Sequence, residues 1–126
     1  MIDHLDHVVI TTAHLDKCID FYTRVLGMKL EEFSGGRLAL KFGEQKFNLH
    51  VKGKEFEPKA TVPMPGALDF CLIAAIPLDE VIAKLGDLGV PIIVGPVAKT
   101  GAAYPLRSLY IRDPDGNLVE ISERAG

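Results

Sequence analysis

At 126 residues, 48% of them hydrophobic and 25% charged, the chain has the length of one domain and enough apolar side chains to bury a core of its own. A net charge of −3 without a basic cluster excludes a phosphate-tracking nucleic-acid surface, and no apolar run approaches the roughly 18 residues of a membrane span. The opening Met1-Ile-Asp-His-Leu-Asp-His lacks the basic start and apolar centre of a secretory signal, so a cytoplasmic setting is expected.

Leu5 to Ile10 is β-branched and apolar enough for a first strand. Leu15, Cys18, Ile19, Tyr22 and Leu26 then fall at helical spacing, with Gly27 as the left-handed terminator. Three short strands are expected at Met28 to Phe33, Arg37 to Phe42 and Lys46 to Lys52, separated by Ser34-Gly-Gly and Gly43-Glu-Gln turns. Residues 53–66 hold three prolines and no sustained period, and read as a connecting loop.

The pattern then restarts. Asp69 to Ala74 reads as a strand, and Pro77 opens a helix whose apolar residues Leu78, Val81, Ile82, Leu85 and Leu88 stop at Gly89. Pro91 to Val94 reads as a strand and 95–106 as a second long loop. The Asp115-Gly116 pair in "DPDGN" predicts a hairpin turn feeding a last strand, in which Leu118, Glu120 and Ser122 face one way and Val119 and Ile121 the other. Cys18 and Cys71 lie far apart in apolar neighbourhoods, and both are expected to be buried free thiols.

Each half thus reads βαβββ, and the halves resemble each other in letters as well as in order. "LDHVVI" parallels "LDFCLI", "HLDKCI" parallels "PLDEVI", and both helices end in Leu-Gly, at a nearly constant offset. The expected fold class is α+β: two paired βαβββ modules forming a cup-shaped mixed sheet within a single domain, 1–126. Module 1 spans about 1–52, the connecting loop 53–66, and module 2 67–126.

Duplication gives meaning to four polar strand residues. His7 and His50 lie on the first and last strands of half one, and Asp69 and Glu120 at nearly corresponding places in half two. Facing inward in a cup, two imidazoles and two carboxylates make a divalent-metal site, because a cation relieves the repulsion and desolvation that two buried carboxylates otherwise suffer. One such residue alone is ordinarily a solvent-facing or hydrogen-bonded group.

The opening "LDHVVI…LDKCIDFYTRVLGMKL" and the closing "YIRDPDGNLVEI" resemble the vicinal oxygen chelate superfamily, which includes glyoxalase I, bleomycin resistance proteins and extradiol dioxygenases. The resemblance covers nearly the whole chain. It implies a cup around a divalent metal, usually across a homodimer, with His7 as first-strand ligand and Glu120 as last-strand ligand. Asp69 stands where many members have histidine. The ligand on strand 46–52 is His50 when aligned from the strand's carboxyl end and Asn48 when aligned from its turn. Imidazole favours His50. Ni, Co, Mn, Fe or Zn would suit such a site.

The resemblance further implies Lewis-acid chelation of a small substrate through two adjacent oxygens, with Glu120 as catalytic base. A metal-dependent glyoxalase-like lyase or isomerase acting on an α-oxoaldehyde or its thiol adduct is the expectation. Thr11 stands where the resembled bacterial glyoxalases carry an arginine, which puts glutathione use in doubt. Lys99, Tyr104 and Arg107 are candidates for orienting a different anion. The alternatives are an extradiol-type ring-cleaving dioxygenase, which would use His7, Asp69 and Glu120 as a facial triad, and a non-catalytic bleomycin-resistance-like binding protein.

Overall fold

The computed structural model describes all 126 residues, Met1–Gly126, and confirms two βαβββ modules. The chain divides into two compact units: Met1–Ala67 with Pro114–Gly116, and Leu68–Asp113 with Asn117–Gly126. No helix is long and apolar enough to cross a membrane.

The first unit contains β1 (His7–Thr12), α1 (Leu15–Asp20), β2 (Lys29–Phe33), β3 (Arg37–Phe42) and β4 (Gln45–Val51). Its strands lie in the order β1-β4-β3-β2, with β1 parallel to β4 and the other pairs antiparallel. Alternation divides the sheet into two faces. Ile10, Leu40, Phe47 and Leu49 form the buried apolar face, and the Tyr22 ring meets Phe47 edge-on at 5.8 Å. The opposite face carries His7, Val9 and Thr11 from β1, Lys46, Asn48 and His50 from β4, and Ala39 from β3.

The helix expected through Leu26 changes character halfway. After Asp20 the chain runs as a π-helical turn over Phe21–Val25, where the Leu26 N–H bonds to the Phe21 carbonyl five residues back. Two consecutive rings, Phe21 and Tyr22, enter the core at this wider turn. Gly27 ends the segment with φ of 76° as expected.

The second unit contains β5 (Asp69–Ile73), α2 (Leu78–Asp87), β6 (Val94–Thr100), β7 (Pro105–Arg112) and β8 (Leu118–Arg124). Its order, β5-β8-β7-β6, repeats the first unit's with one parallel pair, β5 and β8. Leu109, Ile111, Val119 and Ile121 form the buried face, and α2 contributes Leu78 and Leu85 to the core.

Two expectations change here. Most of the expected loop 95–106 is strand: β6 pairs with β7 through an irregularity between Val94 and Val97. Gly95 makes that close approach feasible, since a Cβ there would meet the Ser108 carbonyl oxygen at 2.5 Å. The cysteines are both free, but only Cys18 is buried. Cys71 is exposed, because alternation on β5 turns it away from the core side that Phe70 and Leu72 occupy.

Candidate functional site

In module 2, Glu120 lies on the polar face between two lateral neighbours, Cys71 on β5 and Tyr110 on β7. Ser122, fully buried two residues on, donates its hydroxyl to Glu120 Oε2 at 3.3 Å. That orientation leaves the Ser122 oxygen to accept from Ser108 Oγ at 2.6 Å and from the Cys71 thiol at 3.2 Å. Desolvation, followed by the hydrogen bond to Glu120, pushes the Tyr110 phenol above its ordinary pKa, so it stays protonated and donates to that carboxylate. Desolvation likewise raises the Cys71 thiol. Glu120 is therefore a carboxylate with two neutral donors aimed at it, at the end of a chain of hydroxyls.

Asp69 occupies an exposed position opposite Leu118, one diagonal step from Glu120 on the same face. Module 1 has the same diagonal. His7 lies opposite Lys46, and Asn48 is two residues further along β4, as Glu120 is two residues beyond Leu118. The module equivalent of Glu120 is thus Asn48, while His50 corresponds to Ser122. His50 lies opposite Thr11, four residues from His7, or about 13 Å along the sheet, further than two ligands of one ion stand along neighbouring strands. The preference for His50 over Asn48 rested on imidazole affinity. Pairing register, invisible in one sequence, favours Asn48.

The His7 ring Nδ1 bonds Asp6 Oδ1 at 2.8 Å, and this bond, with the nearby positive charge, holds the Asp6 carboxyl below the usual range. A carboxylate on Nδ1 orients the ring and leaves Nε2 for a ligand, an arrangement common behind metal-bound histidines. Asn48 Oδ1 is buried and has no hydrogen-bond partner. An orphaned carbonyl oxygen beside an oriented imidazole fits a divalent cation's donor chemistry, and the carboxylates of Asp69 and Glu120 are of the same hard type. No three His, Cys, Asp or Glu side chains gather into one cluster.

His50 has a different setting. It is 3% exposed, its Nε2 also lacks a partner, and its ring meets Phe56 edge-on at 5.6 Å. Burial, and next the Arg37 charge, depress its pKa. Two of the anion-orienting candidates prove occupied: Arg107 bonds Asp79 at 3.0 Å and Glu123 at 3.2 Å, and Tyr104 lies under the Arg124 guanidinium at 3.7 Å, whereas Lys99 has only the Tyr110 ring, 5.7 Å away. Strand alternation already put Ser122 on the face of Glu120, but Asp6, Tyr110 and Ser108 escaped notice in the sequence. Only Asp6 had a local signal, the Asp-His pair itself; the others depend on register.

Residues 4–121 match the family model described as the Glyoxalase/Bleomycin resistance protein/Dioxygenase superfamily. The chain is 53% identical over 118 residues to the glyoxalase domain-containing protein RDO1 of Mycosarcoma maydis, covering 94% of this chain and 66% of that protein, slightly under two thirds of its length. It is 47% identical to virulence protein STM3117 of Salmonella typhimurium over 98% of this chain and 85% of that protein. The crystal structure of STM3117 matches with a TM-score of 0.97 over 99% of both chains. Lactoylglutathione lyase from Agrobacterium tumefaciens shares the fold at 24% identity, with a TM-score of 0.74 over 98% of this chain and 95% of that one.

Proposed function

Because the chain belongs to the glyoxalase/bleomycin resistance protein/dioxygenase superfamily, we propose that it is a metal-dependent lyase or isomerase of glyoxalase type. Its substrate is a small molecule with two adjacent oxygens, such as an α-oxoaldehyde or its thiol adduct. The observation that carries this reading is the setting of Glu120: a carboxylate on a polar sheet face, with Tyr110 and Ser122 beside it and Asp69 on the diagonal. Module 1 repeats that diagonal as His7 and Asn48.

His7, Asn48, Asp69 and Glu120 would hold a divalent ion of the Mn, Fe, Co or Ni kind, since one imidazole and three oxygens suit those metals. Bound there, the ion would supply Lewis-acid polarisation of the substrate's adjacent oxygens. Glu120 is the base: its carboxylate takes the proton from the carbon beside the carbonyl and returns it to the neighbouring carbon, so the net change is an isomerisation. Tyr110 and Ser122 fix the direction of that carboxylate, and Ser108, bonded to Ser122, holds the hydroxyl in place. Asp6 does the same for the His7 ring.

The test is steady-state turnover with nickel- or cobalt-loaded protein and hemithioacetals formed from methylglyoxal and a panel of thiols. Glu120→Gln keeps the side chain's size and removes its charge and proton acceptor, so turnover should fall by at least about a hundredfold, the lower range for loss of a general base. Equal turnover by wild type and variant would take Glu120 out of the mechanism.

A further inference from the structure

On the polar face of module 1, β3 ends in a cation with no anion. Arg37 makes no hydrogen bond or ion pair with the protein, and its guanidinium carbon lies 4.7 Å from the Phe56 ring centre and 5.3 Å from that of Phe33. Lys46 lies over Phe33 as well, at 3.9 Å. Aromatic faces attract the positive charge but accept few of the guanidinium's five N–H donors, so its hydrogen-bonding edge is unspent. No carboxylate pairs with it: Glu55 accepts the Gly53 N–H at 2.9 Å, Glu57 pairs with Lys59 at 3.1 Å, and Glu31, opposite Ala39 on the same face, forms no ion pair with it.

The β3–β4 register pairs Ala39 with Asn48, and continuing it two residues sets Arg37 opposite His50. Phe56 meets both: its ring centre lies 4.7 Å from the guanidinium carbon and 5.6 Å from the imidazole ring centre. His50 Nε2 is buried without a partner. A buried imidazole nitrogen ordinarily has a hydrogen bond, and leaving it without one costs on the order of 1–3 kcal/mol, so an unpartnered one beside an unpaired guanidinium marks a place made for something else.

We propose that Arg37 and His50, walled by Phe33 and Phe56, form a subsite for a carboxylate group of the substrate. Arg37 supplies its planar two-pronged N–H edge, and His50 in its Nε2–H tautomer gives a further donor to the same group. A planar carboxylate matches one guanidinium edge with its two oxygens, the two-pronged fit that a single arginine offers. The inference rests on the preceding functional reading in one respect: this face, shared with His7 and Asn48, is the one that meets substrate. The substrate class narrows accordingly, to compounds that carry a carboxylate in addition to their two adjacent oxygens.

The experiment uses EDTA-treated, metal-free chain, so it does not depend on the metal site. The carbon-bound proton signals of the four histidine rings are followed by NMR during titration with sodium acetate at constant ionic strength, and separately with inorganic phosphate; His50→Asn assigns the His50 signals. Acetate should shift His50 saturably and leave His14 still. Arg37→Gln should weaken acetate at least about tenfold, and Arg37→Lys, which keeps the charge and loses the fork, should fall between. A non-saturating His50 response, equal acetate affinity in Arg37→Gln, or tighter binding of phosphate than of acetate would each overturn the carboxylate subsite. Nickel affinity, measured in parallel by calorimetry, should be the same in Arg37→Gln and wild type. Acetate binding without nickel binding would sink the metal reading and leave this subsite standing; nickel binding without acetate binding would do the reverse.

Discussion

Asn117 is 1% exposed, in a tight turn where a buried amide must find all its partners within a few ångströms. Its backbone N–H and side-chain NH₂ both donate to the Asp113 carboxylate, at 2.9 and 2.7 Å, and its side-chain oxygen accepts the Leu68 N–H at 2.9 Å. Between them Asp115 accepts the Thr12 hydroxyl at 2.5 Å and the Ala13 N–H at 2.9 Å. Removing the Asp113 carboxylate leaves two buried donors unpaired, so Asp113→Ala should destabilise the fold by about 2 kcal/mol or more in urea denaturation, at the upper range for charge-assisted bonds. A loss under about 0.5 kcal/mol would mean that solvent replaces those bonds. The Asp-Gly pair was readable as a turn because only backbone freedom is at issue there, and Gly116 has φ of 90°. That the flanking acids each serve a different segment was not, since it depends on which loops pass nearby.

Among the elements, α2 shows how an end is satisfied from elsewhere. Pro77 precedes it and has no side-chain cap to offer, and the Leu78 N–H instead donates to Glu123 Oε1 on β8 at 2.7 Å, while Arg107 holds the other Glu123 oxygen. Glu123→Ala should cost about 1 kcal/mol, as loss of a helix cap does, and lower the melting temperature by roughly 3–6 °C. An unchanged melting temperature would mean that the helix end is adequately solvated. The extent of α2 was legible from its apolar period and Gly89. By contrast, β6 hides in the sequence because its positions are almost all exposed and Gly95-Pro96 interrupts it, so it has no alternation to reveal it. The π turn after α1 was equally illegible, since Phe21 falls outside the helical stripe that Cys18 and Tyr22 define. On β4, alternation correctly put Asn48 and His50 on one face, and only pairing with β1 distinguishes the partner of His7 from a residue further along.

For the molecule as a whole, the internal repeat extends beyond strand order. The same two-residue diagonal recurs in both sheets, His7 with Asn48 and Asp69 with Glu120, so a pair of polar groups on the first and last strands is a property of the module. One module carries an imidazole and an amide oxygen there; the other carries two carboxylates. The metal reading follows from that division of donors, and thermal melting of EDTA-stripped protein, with and without added divalent ions, tests it most directly. An ion that binds only the folded chain, at about a hundred times its dissociation constant, adds roughly 2.7 kcal/mol, on the order of 8–16 °C for a domain of this size. Nickel or cobalt should raise the melting temperature by more than magnesium does, and His7→Ala or Asp69→Ala should remove most of the rise. An identical melting temperature for the stripped wild-type chain with and without each of these ions would contradict the metal site.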